Sequence, residues 1–188
     1  MNSILPTNTK LITFKDYEIS ERRILNQIIK TRKNLLIGTF NLQNIRLKIN
    51  NQYIPLSDII IRLVRSGVSV YFLLNSKASN AALIQKLKNT LGNDRNLMIR
   101  SCSRIHLKTI IIDLKLAYIG SANLTGYGLG TRSKAKRNFE LGFITSDKSL
   151  ISDIAQNFIN IFNGSYCNSN NCFYLNNLES KRYCKGIK

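Results

Sequence analysis

The run Val68-Ser-Val-Tyr-Phe-Leu-Leu74 constrains the fold of this chain more than any other segment. It is uncharged and rich in branched and aromatic residues, so it reads as a buried strand. The residues around it supply helices to bury it. Upstream, Ile59, Ile60, Leu63 and Val64 recur at helical spacing behind Ser57 or Asp58 as the expected cap, and Gly67 stands where that helix would end. Downstream, the pattern predicts a helix near Asn80–Leu91, a turn at Gly92–Asp94 and a strand at Leu97–Arg100.

The same alternation holds elsewhere. Leu11–Phe14 predicts a strand, Ser20 to about Thr31 a helix built on Ile24, Leu25, Ile28 and Ile29, and Leu35–Asn41 another strand. From His106 the pattern changes. His106–Asp113 and Leu116–Ile119 read as paired strands around a tight turn at Leu114–Lys115. A polar, glycine-containing loop then runs from Thr125 to Arg137, Phe139–Thr145 reads as a strand, and Ser149–Phe162 as an amphipathic helix. The expected fold class is α/β, a mixed central sheet flanked by helices in a single domain. Residues 1–162 form the expected folded domain and 163–188 an Asn- and Cys-containing basic tail. At 188 residues the chain can bury roughly two-thirds of its unfolded surface, so folding requires neither disulfides nor metal.

Charge narrows the partners. Twenty-eight Lys and Arg face ten Asp and Glu, a formal net charge of +18. Such an excess repels itself in a compact fold and favours an anionic partner, with nucleic acid first and anionic membrane second. Val68–Leu74 and Ile110–Ile112 are far shorter than the ~20 apolar residues of a membrane-spanning helix. The first thirty residues lack the pattern of a secretory signal, so an intracellular setting is expected. Of four cysteines, Cys102 stands alone, while the spacing of Cys167, Cys172 and Cys184 matches no standard zinc pattern. Free thiols on a loose tail are the expectation there.

The chemistry concentrates in one stretch. On a strand of His106-Leu-Lys-Thr-Ile-Ile-Ile-Asp113, His106 and Lys108 share one face with Ile110 and Ile112, and Asp113 lies on the other. An imidazole and an ammonium thus project together where a strand usually buries apolar groups. Gly120-Ser121-Ala-Asn123 follows, offering a hydroxyl and an amide to a bound oxyanion. Asn138-Phe139-Glu140 opens the next expected strand with a carboxylate.

These three elements in order resemble the phospholipase D superfamily, whose motif is His-x-Lys-x4-Asp, then Gly-Ser-x-Asn, then a Glu. The resemblance spans roughly residues 30–162, with its specific motifs in 106–142. It implies that His106 is the nucleophile that forms a phosphohistidine, and that Lys108, Ser121 and Asn123 bind the substrate phosphate. It implies that Glu140 accepts a hydrogen bond from the other ring nitrogen of the imidazole, and that Gly120 and Asp113 are structural. The superfamily takes its acid from a second histidine. This chain has one histidine and no internal repeat of the motif, so the resemblance implies a homodimer with a second His106 across a twofold axis. It implies no metal and no other cofactor. Short, strongly basic, single-motif members resemble nucleases most, so DNA or RNA is the expected substrate. The alternatives are a phospholipase or phosphatidyl transferase and a weakly catalytic nucleic-acid-binding module. Arg132, Lys134, Lys136 and Arg137, between the phosphate cradle and Glu140, are candidates for binding a polyanion. Phe40 and Asn41 end a strand that could reach the rim, with a core role favoured for Phe40.

Overall fold

The computed structural model describes residues 8–13, 24–76, 78–129 and 132–166, apart from the side chains of Ala78 and Lys134. A seven-stranded sheet carries the molecule. In chain order its strands are β1 (Thr9–Ile12), β2 (Asn34–Thr39), β5 (Ser69–Leu74), β6 (Leu97–Ser101), β7 (Lys108–Ile112), β8 (Leu116–Gly120) and β9 (Gly142–Thr145). Between β2 and β5 lies a separate hairpin, β3 (Arg46–Ile49) and β4 (Gln52–Pro55). The helices are α1 (Leu56–Arg65), α2 (Ala81–Leu91) and α3 (Lys148–Asn163), with a short helical turn at Asn26–Ile28.

The spatial order is β1-β9-β8-β7-β2-β5-β6. β5 runs parallel to β2 and to β6, and every other neighbouring pair is antiparallel, so the sheet is mixed. Alternation along the strands builds two cores. Leu35, Ile37, Val70, Phe72, Leu74, Ile110 and Ile112 pack with Ile59, Ile60, Leu63, Val64, Leu83 and Leu87 of α1 and α2. Leu36, Tyr71, Leu73 and Ile111 face Ile151, Ala155, Phe158 and Phe162 of α3. Val68–Leu74 is buried because both faces are covered.

Most boundaries follow from where pairing runs out. β2 ends at Thr39, whose partner is Lys108, so β7 starts there and His106 is left in a loop instead of opening the strand. β8 ends at Gly120 opposite Gly142, so β9 starts three residues after the expected Phe139. β1 sits two residues earlier than expected, and Phe14 lies outside the described residues. Ile24, Leu25 and Ile28 are fully buried, while residues 20–23 of the expected helix also lie outside. That helix does not continue to Thr31: residues 29–31 form turns.

The caps have local causes. α1 starts at Leu56 directly after Pro55, and its Ser57 N–H is capped at 2.9 Å by Oδ1 of Asn44 instead of by Ser57 or Asp58. It ends at Gly67, whose φ of 87° lets Gly67 and Val68 donate back to Val64 and Leu63. Asp147 caps α3 by accepting from the Leu150 N–H at 2.9 Å. No helix of the described residues is long and apolar enough to cross a membrane. The tail cysteines Cys167, Cys172 and Cys184 lie outside those residues, and Cys102 is a half-buried free thiol after β6.

Candidate active site

The loop after β6 and the start of β7 deliver the central pair. His106 is exposed, and Lys108 is half-buried as the first residue of β7. The Lys108 ammonium donates to the His106 carbonyl at 2.9 Å and stands 3.1 and 3.2 Å from the two ring nitrogens. Leu107 between them packs on the α3 core, which is what strand alternation requires. Partial burial pushes the Lys108 ammonium below the usual lysine range, and the Glu140 carboxylate partly offsets this. The ring of Phe40 meets the imidazole edge-on at 4.9 Å between centroids, with the Lys108 ammonium 5.5 Å from the same ring. Phe40 is half-buried at the rim, so the favoured core role for it is wrong. β2 ends one residue earlier and leaves the ring beside the site.

The loop after β8 supplies Ser121 and Asn123. Asn123 Oδ1 accepts the Asn41 N–H at 3.0 Å, which orients the amide and leaves Nδ2 to donate elsewhere. The bridge between Leu42 and Leu124 ties the same two loops together. Gly128 fixes the backbone behind Asn123. A Cβ there would lie 2.2 Å from the Asn123 carbonyl oxygen and 2.9 Å from its nitrogen, so only glycine permits this approach. Gly120 is equally closed in, since a Cβ would meet Leu141 O at 2.6 Å and Gly142 Cα at 2.7 Å. Beneath it, Tyr118 is buried, and burial pushes its phenol up to about 12.

Glu140 lies two residues before β9. Its carboxylate accepts a short hydrogen bond from Ser121 Oγ and another from Asn138 Nδ2 at 3.2 Å. Within one chain, then, its hydrogen bonds go to Ser121 and Asn138 instead of to the His106 ring, contrary to the expectation. The carboxylate is held on the β8–β9 side of the site by these bonds, while the Lys108 ammonium is the group that stands within 3.2 Å of the ring nitrogens.

Asp113 is at the far end of β7, about 17 Å from Lys108 at ~3.3 Å per residue. There it accepts from the backbone N–H groups of Arg32, Lys33 and Asn34. Burial raises its pKa, but those amides and Lys115 outweigh it and hold the carboxyl below its usual range. In the basic loop the Arg132 guanidinium lies 5.3 Å from the Tyr127 ring, and Arg137 Nε donates to the Arg132 carbonyl at 2.6 Å. Arg132 and Lys136 are exposed. Among the described residues, no three of His, Cys, Asp and Glu stand close enough to share a metal ion.

Residues 24–164 match the family model described as cardiolipin synthase, PLD-like domain. No curated protein sequence matches significantly. Solved structures of similar fold include NucT from Helicobacter pylori, with a TM-score of 0.58 and 15% identity over 80% of this chain and 92% of that one. Nuc from Salmonella typhimurium, a phospholipase D family member, gives 0.53 and 14% over 80% and 90%. TrmBL2, an archaeal chromatin protein, gives 0.55 and 16% over 86% of this chain and 55% of that one.

Proposed function

The chain belongs to the phospholipase D superfamily, and from that premise we propose that it is a metal-independent phosphodiesterase of nuclease type that cleaves DNA or RNA through His106. The observation that carries the reading is the exposed His106 ring with the Lys108 ammonium 3.1 and 3.2 Å from its nitrogens. A neutral imidazole bonds to phosphorus while the P–O bond to the leaving strand breaks. Lys108, Ser121 and Asn123 carry the charge that develops on the phosphoryl oxygens. The leaving oxygen takes its proton from His106 of a second copy of the chain. That second imidazole then removes a proton from water, which attacks phosphorus and frees the first ring. Residues 1–162 are the catalytic domain in this reading and 163–188 a basic tail.

A twofold contact would also resolve the position of Glu140. Its carboxylate bonds to Ser121 and Asn138 and not to its own imidazole, and in this reading a second copy brings another ring to the same rim. The net charge of +18 favours nucleic acid as the polyanion, with Arg132, Lys134, Lys136 and Arg137 as its contacts. The similarly folded TrmBL2 is described as binding DNA, which supports the same choice.

A second reading, transfer or hydrolysis of phospholipid headgroups, draws on the description of the matching family and on Phe139 and Leu141. These are 86% and 55% exposed on either side of Glu140. One experiment separates the two. Plasmid, single-stranded DNA and RNA are incubated in EDTA with wild type and His106→Ala, beside vesicles of anionic phospholipid. Cutting of nucleic acid by wild type, lost on the order of 10³-fold or more in the variant, is expected. Headgroup release from vesicles with no cutting overturns the nuclease reading. Sedimentation of the active species tests the dimer.

A further inference from the structure

Two asparagines away from the phosphate cradle are almost fully buried, Asn75 at 5% and Asn80 at 4% exposure. Asn75 follows β5 and spends its amide group on two carbonyls, Ser103 O and Ile105 O, each at 2.9 Å. Those are backbone groups of the loop that ends at His106. Asn80, just before α2, donates from Nδ2 to the Asn75 carbonyl at 2.7 Å and to the Phe40 carbonyl at 3.1 Å. Its Oδ1 accepts the Leu42 N–H at 2.7 Å. Between Phe40 and Leu42 lies Asn41, whose N–H holds Asn123.

These bonds form one connected path: the His106 loop, Asn75, Asn80, the Phe40–Leu42 loop, and Asn123. Each link joins backbone groups that have left the ladder where β2, β5 and β6 end, and which need partners once buried. We propose that Asn75 and Asn80 are positioning residues that hold the nucleophile loop in register with the phosphate-binding loop. The catalytic consequence rests on the phosphodiesterase reading above, and the geometric one does not. Neither side chain touches substrate. Their effect is on where the imidazole sits relative to the Asn123 amide, and a displacement near 1 Å there costs about 100-fold in rate.

The test uses Asn75→Ser, which keeps one donor for two carbonyls, and Asn80→Asp, which keeps the acceptor for Leu42 and loses both donors. The control is Leu87→Ala in the buried α2 core. Turnover of bis(p-nitrophenyl) phosphate is measured below each variant's melting temperature. The one histidine of the chain, labelled with ¹³C, gives a single imidazole signal. Both asparagine variants are expected to lower kcat about 10- to 100-fold with KM within about threefold, and to shift or broaden that signal. Leu87→Ala is expected to lower the melting temperature while leaving kcat and the signal as in wild type. Wild-type kcat and signal in the asparagine variants, with stability alone reduced, would overturn the proposal, as would equal changes in Leu87→Ala. A wild type with no turnover sinks the phosphodiesterase reading alone, because the imidazole signal still decides whether the pair places the ring. Should Asn75→Ser fail to fold, Asn80→Asp carries the same comparison.

Discussion

Asp113→Ala should destabilise the protein without touching the chemistry. The Asp113 carboxylate accepts from Lys33 N at 2.7 Å and from Asn34 N and Arg32 N at 3.0 Å each. Hydrogen bonds to a charged group contribute ~1.5–3 kcal/mol each when shielded. These are partly exposed, so water replaces much of what is lost and the three together are worth ~2 kcal/mol. Asp113 also sits at φ 52°, a conformation that Asp tolerates better than Ala, which adds ~0.5–1 kcal/mol. At about 2–4 °C per kcal/mol for a chain of this size, the melting temperature should fall by ~5–10 °C. Asp113→Asn keeps an acceptor and the φ preference, and should lose about half as much. Folding lowers the Asp113 pKa, so its contribution is complete above the unfolded value of ~3.9 and is lost as pH falls through the folded one. The gap between wild type and Asp113→Asn should therefore close in strong acid. Thermal unfolding followed by circular dichroism from pH 2 to 7 measures all of this. An unchanged melting temperature in Asp113→Ala refutes the structural role. So does a fall in kcat at a temperature where wild type and variant are both fully folded.

Three further outcomes follow from the site. Gly128→Ala places a methyl 2.2 Å from the Asn123 carbonyl, so phosphodiesterase turnover should drop on the order of 100-fold, and full activity would contradict the placement of Asn123. Partial burial lowers the Lys108 pKa and Glu140 opposes that shift, so in an NMR titration of its Cε protons Lys108 should lose its proton below the ordinary ~10.4, and lower still in Glu140→Gln. A Lys108 titration that is unchanged or rises in Glu140→Gln would break that link. Affinity for an oligonucleotide should fall steeply with salt, and removing Arg132, Lys136 and Arg137 should lower the log–log slope by about one unit for each phosphate no longer neutralised. An unaltered slope would leave those side chains as ordinary solvated charges.

The fold is legible wherever burial leaves a pattern that needs no partner to interpret. Val68–Leu74 reads as a strand because both its faces are covered, and Gly67 as a helix end because only glycine sits easily at φ 87°. The β3–β4 hairpin escapes that reading although a local signal exists: Asn50 and Asn51 adopt φ 46° and 63°, the positive values of a tight hairpin turn. Strand ends at His106 and Phe139 differ from expectation because pairing stops where the neighbouring strand stops, and that length is written elsewhere in the chain. The site divides the same way. His106 and Lys108 are legible because the imidazole and the ammonium come two residues apart and are followed in order by Gly120-Ser121-Ala-Asn123 and Glu140, although only Lys108 lies on the strand. Asn75 and Asn80 are not, because an asparagine between a strand and a helix looks like turn chemistry until burial shows its amide spent on distant carbonyls. Residue type reveals the groups proposed to react, whereas the groups proposed to aim them are ordinary amides whose task comes only from what the fold packs around them. For that reason substitutions in the aiming pair test the geometry of this site more directly than further changes to its imidazole.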